Sequence, residues 1–589
     1  MALSASRAAR AGAARASLGF TPRDPSYRMR VLWLLAGSLL VTGVIWGRLV
    51  YWQVLQHHRL ASDALTQYSK VVELPATRGL IYDRNGQPLA INETVYSVVI
   101  APDQVRVADR DHVAAALSAA TGRPIVGIES ILASRSQFAY IARHQRKPVA
   151  DQLRALHLAG VGLEPETRRS YLPGGTPDVT LASNLLGFVN NDGAGQYGVE
   201  GFYQSELAGR NGSMSTYQDL TGREIVVGGE TKKDPVNGSD LQLTIDADVQ
   251  HSAEQALAAG VVRNKAESGS VIVMDPRTGG IVAYADYPTY NANNFGQTPV
   301  ERFIDPIASH LYEPGSTMKV VTLAGAIENH AITPAMTLND PGHVTVGGVT
   351  LYDWDRQNRG TVTYTKVLES SLNVGAVKAL ELEGSDAYYR NLVDFGFSRP
   401  SGIDVAAESV VPIRAEADYR PSEMATMSFG QGINVNMVQM IAAANVIANG
   451  GKYVQPHVVE RVGGRPAAAS LVPARQVISP GTAAQVNEMM KAVVQNGSGS
   501  MARIPGFEKD EAGKTGTSQI PVSGQYTQDV WSSYVGYLPA SNPRFVMLVV
   551  IRKPHNATWI LNDGYIVAAP IWKQVAQDIV LDWHLAPTP

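Results

Sequence analysis

The 589-residue sequence contains no cysteine. This absence excludes a thiolate nucleophile, a zinc site with cysteine ligands and any disulfide framework. Neither sign of charge is in excess, since 50 Lys and Arg side chains stand against 53 Asp and Glu side chains, a formal net charge of -3. Without a basic patch beyond the N-terminus, nothing indicates nucleic-acid binding. Hydrophobic residues form 45% of the chain, which is enough for large cores in about two to four domains.

Charged residues are missing altogether from residues 31–47 (VLWLLAGSLLVTGVIWG). A helix of this length spans about 25 Å, close to the hydrocarbon core of a bilayer. Arg30 and Arg48 flank the run, and Trp33, Trp46 and Trp52 suit the two membrane interfaces. An amphipathic pattern continues beyond residue 48, where a signal peptide would need a cleavage site. We therefore predict a retained transmembrane helix over 31–55, rather than a cleaved signal peptide or a buried core helix.

Arginine residues are concentrated before this helix. Residues 1–30 contain six Arg residues and a single Asp residue, Asp24. The positive-inside rule predicts that this tail is cytoplasmic and that the following residues are outside the cell membrane. The chain is thus predicted to be a single-pass protein of the inner (plasma) membrane with an extracytoplasmic body. An enzyme in that compartment has no ATP and must use energy already stored in its substrate.

The rest of the sequence contains no internal repeat and divides near residue 238. Residues 56–237 mix short helices, strands and Gly-rich loops, with a hairpin turn predicted at 83–86 (DRNG) and an amphipathic helix within 195–212. Residues 238–589 have strand patterns at both ends and a helix-rich middle. This order predicts an α+β domain of three layers, in which helices flank an antiparallel sheet.

The pattern Ser316-x-x-Lys319 is the first candidate for chemistry. It follows a Pro-Gly turn and opens a helical pattern, so Ser316 is predicted in the first helical turn. Residues three apart share one face of a helix, which brings the Lys319 amine beside the Ser316 hydroxyl. Serine is a poor nucleophile until a neighbouring base takes its proton. A partly desolvated lysine at a helix N-terminus can be that base.

Two further patterns follow in order. The pair Ser371 and Asn373 (S-x-N) can relay protons and hold a substrate carbonyl. Residues 514–517 (KTGT) can form a strand edge that binds a carboxylate and supplies an oxyanion-hole N–H. A phosphate-binding loop is the competing interpretation of the KTGT segment, but the glycine it requires five positions before Gly513 is Glu508.

The ordered set S-x-x-K, S-x-N and K-T-G is the signature of serine β-lactamases and penicillin-binding proteins. The sequence resembles class B penicillin-binding proteins, the monofunctional peptidoglycan D,D-transpeptidases, over almost all of the chain after the anchor. Five further segments resemble that family: 78–86 (RGLIYDRNG), 197–209 (YGVEG and LAG), 274–279 (MDPRTG), 429–432 (FGQG) and 568–570 (AAP). The resemblance assigns 56–237 to a pedestal or dimerisation-type domain and 238–589 to the transpeptidase domain.

The resemblance also implies a reaction and roles for the residues. The serine would attack the penultimate D-Ala of a stem peptide, release the terminal D-Ala and pass the acyl group to an amine of a neighbouring strand. β-Lactams would acylate the same serine. The implied catalytic residues are Ser316, Lys319, Ser371, Asn373 and Lys514, with Thr515, Gly516 and Thr517 binding substrate. The backbone N–H groups of Ser316 and Thr517 would form the oxyanion hole, and no metal or organic cofactor is indicated.

Several alternatives stay open on sequence alone. A serine β-lactamase needs a deacylating glutamate, and the E-x-x-L-N match that begins at Glu369 overlaps the S-x-N motif. A D,D-carboxypeptidase or a β-lactam-binding sensor would use the same motifs, whereas a bifunctional class A protein would need a glycosyltransferase domain. Class B proteins serve septation or side-wall elongation beside a SEDS-family glycosyltransferase and other divisome or elongasome membrane proteins. Glu313 before Pro-Gly-Ser favours the division-specific, FtsI-like group.

Overall fold

The computed structural model describes residues 25–60, 69–217 and 231–587. They fall into two compact units, one from 25–74 with 212–234, the other from 75–211 with 235–587. The predicted cytoplasmic tail, 1–30, lies mostly outside the described residues. Each unit is described separately.

The first unit contains the N-terminal helix and a small sheet. Helix α1 (Pro25–Val50) continues as a π-helical turn over Tyr51–Leu55. The side chains of residues 26–55 are exposed. Among the described residues it is the one helix long and apolar enough to cross a membrane. The sheet is antiparallel, in the order β1 (Ser69–Leu74), β8 (Gly212–Tyr217) and β9 (Thr231–Lys233).

The second unit holds the remaining elements. Its α-helices are α2 (Arg110–Thr121), α3 (Ile125–Leu132), α4 (Lys147–Ala155), α5 (Ser183–Leu186), α6 (Gly198–Phe202), α7 (Gln204–Ala208), α8 (Ala247–Arg263), α9 (Pro306–Ser309), α10 (Lys319–Glu328), α11 (Tyr364–Glu369), α12 (Asn373–Glu383), α13 (Ser385–Asp394), α14 (Pro421–Met427), α15 (Met437–Ala448), α16 (Pro480–Asn496) and α17 (Ala568–Asp582).

Its strands include two sets that form the larger sheets and four short hairpin or bridge pairs. They are β2 (Ile81–Tyr82), β3 (Pro88–Ile100), β4 (Ala139–Gln145), β5 (Val161–Tyr171), β6 (Phe188–Val189), β7 (Gly195–Gln196), β10 (Leu241–Leu243), β11 (Ser268–Met274), β12 (Ile281–Tyr287), β13 (Thr337–Asp340), β14 (His343–Val346), β15 (Val349–Tyr352), β16 (Gly360–Thr363), β17 (Lys452–Tyr453), β18 (Val459–Val462), β19 (Arg465–Pro466), β20 (Arg475–Gln476), β21 (Ala512–Val522), β22 (Gln525–Leu538) and β23 (Phe545–Arg552).

A five-stranded antiparallel sheet lies at the centre, in the order β12-β11-β23-β22-β21. Alternate residues of its strands face two different cores because side chains alternate along a strand. Val271 and Val273 pack with α8 and α17, whereas Ile272 and Met274 pack in the larger core with α10 and α15. Helices therefore cover both faces, which confirms the predicted three-layer α+β fold. Strand β21 is an edge strand.

A second sheet crosses the predicted domain boundary near residue 238. Its order is β19-β18-β10-β2-β3-β4, with β5 paired to β3. Strands β10, β18 and β19 come from the C-terminal side of that boundary, and β2 to β5 from the N-terminal side. The two regions are thus joined by backbone hydrogen bonds, and the domain bounds stay a prediction. The predicted turn at 83–86 connects β2 and β3, with the Asp83 carboxylate accepting the Asn85 and Gln87 N–H groups at 2.8 and 2.7 Å.

The amphipathic helix predicted within 195–212 is wrong as a single element. The segment contains β7, α6 and α7, with a break at Tyr203. Tyr197 and Gly198 have φ of 59° and 46°, and a Cβ at Gly198 would meet the Leu185 carbonyl oxygen at 2.1 Å. This close packing, together with complete burial of Glu200, overrides the helical pattern of the sequence.

Candidate active site

Ser316 lies in a 3-10 turn, Gly315–Met318, that leads directly into α10. Gly315 has φ of 57°, a conformation that glycine adopts at little cost. The Thr317 hydroxyl donates to the Pro314 carbonyl oxygen at 2.8 Å and closes the turn. The Lys319 Nζ atom is 3.0 Å from Ser316 Oγ. The predicted contact across one helical face is therefore present.

Lys319 is completely buried, and its amine has strong acceptors on two sides. Nζ donates to the Ser371 carbonyl oxygen at 2.6 Å and to Asn373 Oδ1 at 2.7 Å. A neutral amine has two N–H bonds and one lone pair. With both N–H bonds directed at these acceptors, the lone pair is left for the Ser316 hydroxyl proton. This is the geometry required of a general base.

Burial determines the protonation of Lys319. Loss of hydration lowers the pKa of the Lys319 amine to about 7, and the Asp353 and Asp340 carboxylates oppose this by raising it. Asparagine has no charge, so neither hydrogen-bond acceptor is an ion-pair partner for the amine. A base whose pKa lies near neutral pH is matched to proton transfer under physiological conditions.

Ser371 connects the two buried lysines. Its hydroxyl oxygen is 3.4 Å from Lys319 Nζ and 2.9 Å from Lys514 Nζ. Ser371 has φ of 57°, a left-handed conformation that is unfavourable for a residue with a side chain. The structure holds it there between α11 and α12. The hydroxyl is thus placed where it could pass a proton between the two amines.

Lys514, Thr515, Gly516 and Thr517 lie on the edge strand β21. Lys514 is completely buried; burial, and then the neighbouring Lys319 charge, lower its pKa well below the usual value. Its amine donates to the Thr515 carbonyl oxygen at 2.7 Å. A Cβ at Gly516 would meet Ser533 Oγ at 2.3 Å and the Pro314 carbonyl oxygen at 2.8 Å. Glycine therefore lets the serine-bearing turn approach β21.

The hydroxyl groups of this strand have partners on both sides of the motif. Thr515 Oγ1 is 3.0 Å from Ser498 Oγ, and Thr517 Oγ1 accepts the Gly564 N–H at 3.1 Å. Ser498 precedes β21 in the chain and was not predicted as a site residue. The oxyanion hole formed by the Ser316 and Thr517 N–H groups stays a prediction, as does the binding of substrate by these hydroxyls.

Comparison with protein families agrees with this arrangement. The family profile described as "Penicillin binding protein transpeptidase domain" matches residues 269–577, and the profile described as "Penicillin-binding Protein dimerisation domain" matches residues 73–243. The chain belongs to the penicillin-binding protein transpeptidase family. With both profiles present, it is a class B penicillin-binding protein, as the resemblance along the whole sequence predicted.

Named relatives cover nearly the whole chain. The probable peptidoglycan D,D-transpeptidase PbpC of Pseudomonas aeruginosa is 31% identical over 93% of this chain and 95% of its own length. The peptidoglycan D,D-transpeptidase FtsI of Escherichia coli is 29% identical over 94% of this chain and 92% of its own length. A crystal structure of penicillin binding protein 3 from Mycobacterium tuberculosis, complexed with aztreonam, has a TM-score of 0.66 at 25% identity and covers 88% of this chain and 98% of that chain.

The active-site cleft of this penicillin-binding protein has a volume of about 430 Å³. Ser316, Ser371, Asn373, Thr515 and Thr517 line it, while Lys319 and Lys514 lie buried behind its wall. Gln431, from the 429–432 segment that resembles the family, lines it as well. Further lining residues that were not predicted are Trp354, Arg359, Ser498, Asp563 and Tyr565.

The two glutamates considered in the sequence analysis, Glu369 and Glu313, both have hydrogen-bond or ion-pair partners in the structure. Glu369 lines the cleft, but its carboxylate forms an ion pair with Lys366. Glu313 is buried; its carboxylate accepts the Gly432 N–H at 3.0 Å and the Tyr526 hydroxyl at 3.1 Å. Glu313 thus joins the serine-bearing turn to the 430–432 loop and to β22. It does not line the cleft.

Proposed function

We propose that this class B penicillin-binding protein is a peptidoglycan D,D-transpeptidase that uses Ser316 as its nucleophile and is acylated there by β-lactams. The observation that carries the proposal is the set of hydrogen bonds made by Lys319. Its amine lies 3.0 Å from Ser316 Oγ, and it donates its N–H bonds to the Ser371 carbonyl oxygen and to Asn373 Oδ1. Relatives named as peptidoglycan D,D-transpeptidases over almost the full chain support the same activity.

In the proposed reaction, Ser316 Oγ attacks the carbonyl carbon of the penultimate D-Ala of a stem peptide. Lys319 takes the hydroxyl proton, and the N–H groups of Ser316 and Thr517 stabilise the oxyanion. The C–N bond to the terminal D-Ala then breaks, and a proton relayed through Ser371 reaches the leaving amine. An amine of a neighbouring stem peptide next attacks the acyl-enzyme, which forms the cross-link and regenerates Ser316.

The KTG strand is proposed to bind the terminal carboxylate of the stem peptide. Thr515 and Thr517 line the cleft and can donate hydroxyl hydrogen bonds to it. Lys514 lies behind them, so it would contribute positive charge rather than a direct contact. An anion bound at the hydroxyls would favour the charged form of this buried amine. Asn373 would orient Lys319 and the substrate amide.

The cellular role is also part of the proposal. Helix α1 is proposed as a membrane anchor with its N-terminus in the cytoplasm, placing the catalytic domain outside the inner membrane. Residues 56–237 would form the pedestal and 238–589 the transpeptidase domain. Similarity to FtsI of Escherichia coli favours septal over side-wall synthesis. A SEDS-family glycosyltransferase is proposed to supply the nascent strand, which would raise the local concentration of substrate.

Acylation of Ser316 is the direct test. The full chain in detergent is incubated with a fluorescent penicillin, and the adduct is mapped by peptide mass spectrometry. Label should appear on Ser316 and disappear in Ser316→Ala, while the exposed pedestal variant Ser205→Ala should label like the parent. An adduct on another residue, or undiminished labelling of Ser316→Ala, would overturn the assignment.

A second assay separates transpeptidation from hydrolysis. Polymerised glycan strands with pentapeptide stems are supplied, and the products are resolved by chromatography. Cross-linked dimers together with released D-Ala are expected from a transpeptidase. Released D-Ala with tetrapeptides and no dimers would favour the D,D-carboxypeptidase alternative.

A further inference from the structure

Asn373 is held from two sides by Tyr352, the last residue of β15, and by Asp353, which follows it. The Asn373 Nδ2 group donates to the Tyr352 carbonyl oxygen at 2.8 Å. The Asp353 carboxylate accepts the N–H groups of Asn373 and Val374 at 2.6 and 3.0 Å, at the first turn of α12. Because the amide nitrogen faces Tyr352, the amide oxygen faces Lys319. Asp353 and its neighbour thus fix both the position and the orientation of Asn373.

A second carboxyl group supports Asp353 from behind. Asp340 ends β13, is completely buried, and accepts the Gly342 N–H at 2.8 Å through Oδ1. Two backbone bonds tie the region together: Asp353 N–H to the Gly342 carbonyl at 3.1 Å and Arg359 N–H to the Asp340 carbonyl at 2.9 Å. The two carboxyl groups face each other across this short loop.

The outer oxygens of this pair indicate a shared proton. Oδ2 of Asp340 and Oδ2 of Asp353 are both buried and, among the described residues, have no hydrogen-bond donor. A buried carboxylate oxygen without a donor is costly, and one proton held between the two oxygens would satisfy both. Burial, and after it the Asp353 carboxylate, raise the pKa of Asp340 to about 6, against the lowering effect of the Gly342 N–H.

We propose that Asp353, supported by Asp340 through a shared proton, is a positioning residue of the acylation site that directs Asn373 towards Lys319 and holds a negative charge near the Lys319 amine. The inference rests on the proposed function and adds to it two residues that touch neither Ser316 nor the cleft. Their effect passes through Asn373 and through the electric field at Lys319.

The charged groups around the Asp340 and Asp353 carboxyls determine how a substitution in this pair would change the pKa of Lys319. Lys319 faces it from α10, and Arg359 faces it from the start of β16 while its guanidinium pairs with Asp355. Both carboxylates raise the pKa of Lys319, Asp353 more than Asp340. Transfer of the pair's single negative charge from Asp353 to Asp340, which raises the pKa of Lys319 less, should therefore move that pKa further down. The rise of the acylation rate with pH, which follows deprotonation of Lys319, should shift to lower pH.

The test measures the second-order rate of acylation by a fluorescent penicillin from pH 5.5 to 9, using the full chain in detergent. Asp353→Asn keeps an oxygen for the two N–H groups and can donate an amide N–H in place of the shared proton, so the single negative charge of the pair then lies on Asp340. Its midpoint should fall, but by less than the roughly one pH unit expected for complete loss of a nearby opposite charge. Its plateau rate should also fall, because a weaker base accepts the serine proton less readily.

Three further variants separate positioning from general damage. Asp340→Asn can donate an amide N–H in place of the shared proton, so its rate at pH 7.5 should stay within about threefold of the parent and its midpoint should move less. Asp353→Ala loses the acceptor as well and should acylate about 10–100-fold more slowly. Glu381→Gln removes an exposed carboxylate from the same helix α12 and should leave the profile unchanged.

An unchanged midpoint in both Asp353→Asn and Asp340→Asn would overturn the proposal, even if the rates were lower, because a purely structural role would lower the rate at every pH. If Asp353→Ala fails to fold, the Asp353→Asn profile still decides the question. Failure of the proposed function is distinguishable, since the parent protein would then not be labelled on Ser316 at all.

Discussion

Charged groups are completely buried in two regions of this protein, and the two regions differ in how the charge is compensated. In the pedestal region, Glu200 lies between two guanidinium groups. Arg169 Nε donates to Glu200 Oε1 at 2.8 Å, Arg78 Nε donates to Oε2 at 2.8 Å, and the Tyr171 hydroxyl is 3.2 Å from Oε1. In the active site, Lys319 and Lys514 are both completely buried, and no carboxylate of the described residues lies within hydrogen-bonding distance of either amine.

The difference separates a structural cluster from a reactive one. A carboxylate between two guanidinium groups fixes geometry, since losing either sign leaves a buried charge uncompensated. An amine surrounded by neutral acceptors is easily deprotonated, and that is the property a general base requires. The nearest carboxylates to Lys319, Asp353 and Asp340, act from behind Asn373 and moderate the pKa without forming an ion pair.

Removing the base should have the largest effect. Lys319→Ala is expected to reduce the rate of acylation by penicillin on the order of 10³–10⁴-fold, because Ser316 has no other activator in contact. Its thermal midpoint should fall less than that of a variant that leaves a buried charge uncompensated, since only neutral acceptors, the Ser371 carbonyl and Asn373 Oδ1, lose their donor. Lys378→Ala, on the exposed face of α12, is the control. A large loss of stability with retained acylation would contradict the comparison.

Glu200→Gln should have the opposite effect: it should lower the stability of the fold and leave the acylation rate of the folded protein unchanged. Removing the carboxylate leaves Arg78 and Arg169 buried without a counter-charge, and we expect a loss of about 3–5 kcal/mol in the free energy of unfolding. Thermal and denaturant unfolding would measure it, with the exposed Glu301→Gln as a control. The fraction that remains folded should be acylated at the parent rate per molecule. A stable variant with impaired acylation would show that the cluster serves the reaction directly.

Lys514→Ala should reduce acylation less than loss of the base. We expect a decrease of roughly 10–100-fold, because a carboxylate bound at the hydroxyls loses the positive charge behind them. The decrease should be larger for a β-lactam with a free carboxylate than for the corresponding ester, because only the carboxylate needs positive charge on β21. Equal losses with the two ligands would remove the carboxylate-binding role from the proposal.

The smallest effect concerns stability as a function of pH. The folded-state pKa of Lys319 is lowered to about 7 from 10.5, so between these values the unfolded chain binds a proton that the folded chain does not. Stability should therefore rise with pH in this window, by at most about 1.4 kcal/mol per pH unit from this group. Lys319→Met should reduce the slope, measured by thermal unfolding from pH 7 to 9. An identical slope in both proteins would mean that Lys319 stays protonated when folded.

Contacts between residues close together in the chain could be predicted from the sequence alone. The turn at 83–86 and the contact between Ser316 and Lys319 involve residues within a few positions of each other, where the spacing along a turn or helix dictates the neighbour. The apolar runs of α1 and β11 were equally readable, because a strand buried on both faces, like a long apolar helix, has no polar face to interrupt the run. The order of the three motifs, together with the further segments that resemble the family, was sufficient to indicate the family and the motif residues that line the cleft.

Which groups surround each buried charge depends on the tertiary structure and could not be predicted from the sequence. Lys514 meets Ser371 across 143 positions, and Arg78 meets Glu200 across 122. Asp353, which follows the β14–β15 hairpin, caps the helix that begins at Asn373. Residues 195–212 do not form the single helix that their pattern predicts, and Glu200 within them is buried. No local periodicity encodes such contacts, because they depend on sheet register and on which faces pack together. The same physical reason explains why Ser498 and Asp340 carried no signal in the sequence.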